Sequence, residues 1–114
     1  MPYLALRTNR EIAHAQRTAL LSNLSATVAT LLGKPERYVM VSLHDASPML
    51  FAGSDAPLAY LELKSIGLPQ QRTPELSAAL CTLVGETLDI ARDRIYIEFA
   101  NAERNMWGWD GTTF

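Results

Sequence analysis

Long apolar runs are missing from this chain. Nowhere do the roughly 18 residues needed to cross a bilayer follow one another, and the amino terminus has no basic stretch leading into an apolar one. The expectation is a cytoplasmic protein with no membrane partner. Cysteine is almost absent too. Cys81 alone forms neither an internal disulfide nor a cysteine-based zinc cluster, and within a helical pattern it reads as a small buried apolar residue. The two histidines, His14 and His44, have no acid or cysteine at metal-ligand spacing and read as surface residues, so no metal or other cofactor is expected. Clustered basic charge is also lacking. Ten Lys and Arg stand against twelve Asp and Glu for a net charge of −2, which carries no nucleic-acid footprint.

What is present is apolar and written twice. With 48% hydrophobic residues, 114 residues suffice for one core and one domain spanning 1–114. PYLALRT at 2–8 returns as AYLELKS at 59–65, and the same offset of 57 residues carries Tyr3 to Tyr60, Leu6 to Leu63, Arg7 to Lys64 and Arg37 to Arg94. A helical pattern follows each copy. In the first half, Thr8-Asn9-Arg10-Glu11 reads as a capping box, and Ile12, Ala15, Ala19, Leu20, Leu24, Val28 and Leu31 recur at spacings of three and four until Gly33 and Pro35 stop the helix. In the second, Thr73 reads as the N-cap ahead of Pro74 and Glu75, and the stripe runs Leu76, Leu80, Leu83, Thr87, Ile90. RYVMVSLHD and RIYIEFA resume extended structure. The architecture is therefore α+β. A β-α-β unit is duplicated over 2–58 and 59–114, and neither half is large enough to bury its surface alone, so the two share one sheet. The segment near 48–53 and the carboxyl end read as short edge strands or hairpins.

Alternation along the strands separates two faces. Leu4, Leu6, Val39, Val41, Leu43, Leu61, Leu63, Ile95 and Ile97 suit packing beneath two helices. The opposite face, with Tyr3, Tyr38, Tyr60, Tyr96, Glu62, Lys64 and Glu98, is half polar and rich in tyrosine. It is either solvated or part of a wet subunit interface.

Five collinear features carry a resemblance: the proline after the initiator methionine, Gly33-Lys34-Pro35 ahead of Tyr38, Ser65-Ile66-Gly67, the Asp93–Ile97 strand start and the Gly108-Trp109…Thr113-Phe114 ending. Together, over almost the whole chain, the sequence resembles the macrophage migration inhibitory factor family of the tautomerase superfamily. The resemblance implies a four-stranded mixed sheet with two antiparallel helices on one face, and a homotrimer whose sheets enclose a channel. It also implies cofactor-independent keto–enol tautomerisation of phenylpyruvate-like α-keto acids. The catalytic base would be the secondary amine of Pro2, freed by removal of Met1. Such an amine titrates far below lysine, and burial and a nearby Lys34 ammonium depress it further. Lys34 would bind the substrate carboxylate or steady an enolate, Ile66 would offer its backbone N–H, and Tyr38, Tyr96, Trp107, Trp109 and Phe114 would wall the pocket, Tyr96 from a neighbouring subunit.

Each residue also has a plainer reading. In that reading Pro2 opens an edge strand, Lys34 complements a helix end, Ile66 is a strand-end hydrophobe and the aromatics are core. Departures from the family narrow the function. Leu58 and Leu61 stand where a Cys-x-x-Cys pair is familiar, which removes thiol–disulfide chemistry. Glu98 replaces an asparagine where a phenol hydroxyl would be recognised, Lys64 replaces a histidine, and Trp107 replaces a small aliphatic residue. The competing readings are a cytokine-like or interaction trimer whose catalysis is incidental, and a ferredoxin-like regulatory domain.

Overall fold

Four strands and two helices carry the fold in this computed structural model, which describes Met1–Phe114 throughout. β1 (Tyr3–Thr8), α1 (His14–Leu32), β2 (Met40–His44), β3 (Ala59–Ile66), α2 (Thr73–Leu88) and β4 (Ile95–Ala102) are followed by a small hairpin of β5 (Gly108–Trp109) and β6 (Thr112–Thr113). The sheet order is β2-β1-β3-β4. β1 and β2 are parallel, β3 and β4 are parallel, and the two halves meet through the antiparallel β1–β3 pair, where Leu4 faces Leu63 and Leu6 faces Leu61. Each crossover between parallel strands is made by one helix, as parallel pairing requires. The expected α+β fold, a mixed four-stranded sheet carrying two helices, is what the chain adopts.

The apolar face is the predicted one. Leu4, Leu6, Leu61, Leu63 and Ile95 are buried against both helices, with Val39, Val41, Leu43, Ile97 and Phe99 partly buried around them. From α1 this core receives Leu20, Leu24 and Val28, and from α2 Leu76, Leu80, Cys81, Val84 and Leu88, so neither half has a core of its own. Each fully buried leucine contributes roughly 1.5–3 kcal/mol relative to exposure.

The helix boundaries and stripes need correction. Thr8, Asn9, Arg10 and Glu11 form no capping box, because α1 begins only at His14, with Ala13 at the cap and no side-chain cap bond. Thr8 ends β1. Its buried hydroxyl donates to the Leu58 carbonyl at 2.7 Å and accepts from the Arg10 N–H at 3.1 Å, so it is committed to tying β1 to the β3 approach. The later start sets the helix phase by Leu20, Leu24 and Val28, leaving Ala15 and Ala19 exposed, while Ile12 is buried ahead of the helix. Thr73 is likewise not an N-cap. A 3₁₀ turn, Gln70–Arg72, runs into α2, Arg72 takes the cap position, and the Thr73 hydroxyl donates to the Gln70 carbonyl at 3.0 Å. The α2 stripe steps by four through Val84 and Leu88. Leu83 and Thr87 are only half-buried, and Ile90 is buried beyond the helix end.

The helix ends reveal a reciprocal device. Arg72, just ahead of α2, donates at 2.6 Å to the carbonyl of Leu31 in the last turn of α1. Arg10, ahead of α1, donates at 3.0 Å to the carbonyls of Leu88 and Asp89 at the end of α2. Each half thus supplies a cation and N–H donors to the orphan carbonyls of the other half's helix. The weak strand candidate near 48–53 is a single antiparallel bridge, Phe51 with Ser54. The Arg94 guanidinium gathers that loop by donating to the carbonyls of Phe51, Ser54, Ala56 and Pro57. No helix is long and apolar enough to cross a membrane.

Candidate active-site cleft

Pro2 heads β1. Its carbonyl accepts the Met40 N–H at 3.0 Å, fixing it beside the start of β2, and the missing proline N–H costs no ladder bond at this position. The residue is buried and forms part of a cleft of about 650 Å³ at this end of the sheet. Tyr38, Trp107, Trp109 and Phe114 also line it. Five of the sequence-predicted residues therefore meet in one place, although they come from positions 2, 38 and 107–114.

The aromatic wall is built by the carboxyl-terminal hairpin. Asp110 and Gly111 both have positive φ, 52° and 77°, which is the backbone of a type I′ turn. The turn pairs Trp109 with Thr112, and the Phe114 N–H donates to the Trp107 carbonyl at 3.2 Å. Trp109 then stacks on Phe114 with centroids 5.6 Å apart, and both meet the Tyr38 ring edge-on at 5.9 and 6.3 Å. The Arg37 guanidinium lies over the Tyr38 ring, 4.8 Å from its centroid. Asp-Gly is the residue pair that a type I′ turn favours.

Lys34 is placed by the end of α1. Gly33 adopts the left-handed conformation at φ 62°, its N–H donates to the Thr30 carbonyl and that of Lys34 to the Ala29 carbonyl, completing a Schellman motif. Lys34 does not line the cleft, yet its charge reaches the amino terminus. The α-amino group of Met1 titrates below its ordinary value of 8.0, because burial disfavours the ammonium and Lys34 repels it. A Cβ at residue 33 would meet no atom within 4 Å, so Gly33→Ala isolates the backbone cost of the motif. The expected loss is about 1–2 kcal/mol of stability in chemical denaturation.

The remaining predicted residues lie elsewhere. Ile66 is buried at the end of β3, on the same end of the sheet as Pro2 but outside the cleft. Tyr96 and Glu98 are exposed on β4, the far edge, three strand spacings or about 14 Å from β2. There Tyr96 packs on Phe51 at 4.6 Å between centroids, and Glu98 faces Glu62. Tyr60, beside these carboxylates, is held above its ordinary value of 10.0 by burial first and then by the charges of Glu98 and Glu62, so its phenol stays neutral. Arg37, which the sequence marked only as a repeat position, lines the cleft, and so does Lys64, which it marked as a departure from the family's histidine. Lys64 enters because the β1–β3 register sets it opposite Tyr3, and Met40 of β2 lies on Tyr3's other side.

The fold defines the class first. The structure superimposes on a macrophage migration inhibitory factor homologue from Prochlorococcus marinus with a TM-score of 0.93 and 42% identity, covering 98% of both chains. The factor from Trichinella spiralis gives 0.90 at 36% identity, covering 98% of this chain and 99% of that one. This is the tautomerase fold. In sequence, the chain is 36% identical over 115 residues to a macrophage migration inhibitory factor homologue from Brugia malayi, covering 100% of this chain and 99% of that one. Residues 1–114 match the family Macrophage migration inhibitory factor (MIF), and the chain belongs to it, within the tautomerase superfamily.

Proposed function

We propose that the chain is a cofactor-independent keto–enol tautomerase for phenylpyruvate-like α-keto acids, with the Pro2 amine as general base once Met1 is removed. The observation that carries this reading is the position of Pro2: buried in an aromatic cleft, at an amino terminus whose charged form is already disfavoured. A neutral secondary amine takes a proton from the carbon next to the keto group and returns it to carbonyl oxygen or carbon, which interconverts keto and enol forms without any other reagent. Lys34 opposes protonation of the amine and attracts the substrate carboxylate. The aromatic wall receives the aryl group and excludes water.

Tyr96 and Glu98 join this site only from another copy. They lie on the opposite sheet edge, and the polar face bears the exposed apolar groups Met40 and Tyr96, at 66% and 64% exposure. A homotrimer whose sheets share a channel covers them and brings each Tyr96 toward a neighbour's Pro2. Light scattering should give about 38 kDa, three times 12.6 kDa. A monomer would remove Tyr96 and Glu98 from the site. The exposed face also suits the alternative of an interaction trimer with incidental catalysis. Turnover decides between the two. Processed protein should ketonise enol-phenylpyruvate with loss of the enol absorbance, and a rate equal to the buffer control would overturn the enzymatic reading.

A further inference from the structure

We propose that Lys64 is a specificity-determining residue that selects α-keto acids bearing a second anionic group; this rests on the cleft being the substrate site. Lys64 and Arg37 both line the cleft, and no acidic residue does. They enter from different sides, Arg37 just ahead of β2 and Lys64 from β3, with β1 and Pro2 between them. Two outer strands of such a trio stand about 9.6 Å apart, so the two cations approach the opening from separate sides. Lys34, outside the lining but close enough to repel the amino terminus, adds a third positive charge to the same end of the sheet. A monoanion leaves this field largely unanswered, whereas a dianion engages two sides of it at once.

Lys64 is free to take that role. Its one acidic neighbour is Glu62, at 3.6 Å, longer than a charge-assisted hydrogen bond, and the lysine side chain is 45% exposed. Such a loose pair contributes little and yields to a substrate carboxylate that brings better geometry. Arg37 is held differently, with its guanidinium over the Tyr38 ring, so it is braced against the aromatic wall, while Lys64 lines the cleft held only by its loose pair with Glu62. The chemistry selected is a 2-keto acid with a carboxylate at its far end.

The test uses 2-oxoglutarate and its 5-methyl ester, which differ by one charge at the distal end. Calorimetric titration of the processed chain should show the dianion binding about two- to fivefold more tightly, the range set by one partly exposed charge pair. Lys64→Gln should bring the ratio to about one, and Lys64→Arg should preserve it. Equal affinities in the unmodified chain, or a preference that survives Lys64→Gln, would overturn the assignment. Deuterium incorporation at C3 of the same compounds in D₂O, read by NMR, reports proton abstraction separately. Preferential binding without exchange leaves Lys64's role standing and removes the tautomerase reading. Exchange without charge preference does the reverse.

Discussion

Chains that keep Met1 should convert enol-phenylpyruvate at least 10²- to 10⁴-fold more slowly than processed chains, about the factor a positioned general base supplies. In those chains the Pro2 nitrogen is a planar amide whose lone pair is delocalised into the carbonyl. The amine that remains belongs to Met1. Burial and Lys34 lower its pKa too, but it sits one residue further along the chain, a displacement of about 3.5 Å. A base misplaced by that much loses the alignment that makes proton transfer efficient. The fold should be indifferent to processing, because Pro2 is anchored through its carbonyl to the Met40 N–H and its nitrogen makes no ladder bond. One preparation separated by mass into the two species, assayed side by side and compared by circular dichroism, checks both statements. Equal rates would exclude Pro2 as the base.

Lys34→Ala should produce the second large effect, and its sign follows from the charge. A cation beside an amine disfavours the ammonium, as Lys34 does for the Met1 amino group, so removing Lys34 should raise the pKa of the Pro2 amine toward that of an unperturbed secondary amine. Since the base acts when neutral, kcat/KM rises with pH through that pKa. The variant's profile should therefore be shifted to higher pH, with the greatest deficit below neutrality. The loss of one charge-assisted contact to the substrate carboxylate costs about 1.5–3 kcal/mol, or roughly ten- to a hundredfold in kcat/KM even on the high-pH plateau. Burial is the larger cause of the depression at the Met1 amine, and Pro2 is buried as well, so part of the depression should survive the substitution. A profile with unchanged midpoint would show that the Lys34 ammonium, positioned by the Schellman turn, does not face the base.

Much of this architecture was legible because local and long-range signals agreed. The 57-residue repeat, the alternation of Leu4 and Leu6 with Tyr3 and Ala5, and the glycine stop at Gly33 all point to the same β-α-β units. Thr8 was misread because its hydroxyl had a local partner in principle and a distant one in fact, the Leu58 carbonyl 50 residues away. Arg10 and Arg72 were silent for a related reason. Each caps the helix of the other half, and that pairing exists only once the antiparallel β1–β3 seam brings the halves together. Lys64 entered the cleft through strand register, which a one-residue slip would reverse. The reverse case is Tyr96 and Glu98. Their sheet position was readable from alternation, but no single copy of this sheet brings β4 to the Pro2 edge.

The central claim is that a neutral Pro2 amine in the cleft is the base, and the most direct measurement titrates that nitrogen. Processed protein labelled with ¹⁵N-proline should show the Pro2 amine resonance shifting with a midpoint well below that of a free proline amine, coincident with the midpoint of kcat/KM against pH for phenylpyruvate. A Pro2 nitrogen still protonated at a pH where the enzyme turns over at its full rate would contradict the account.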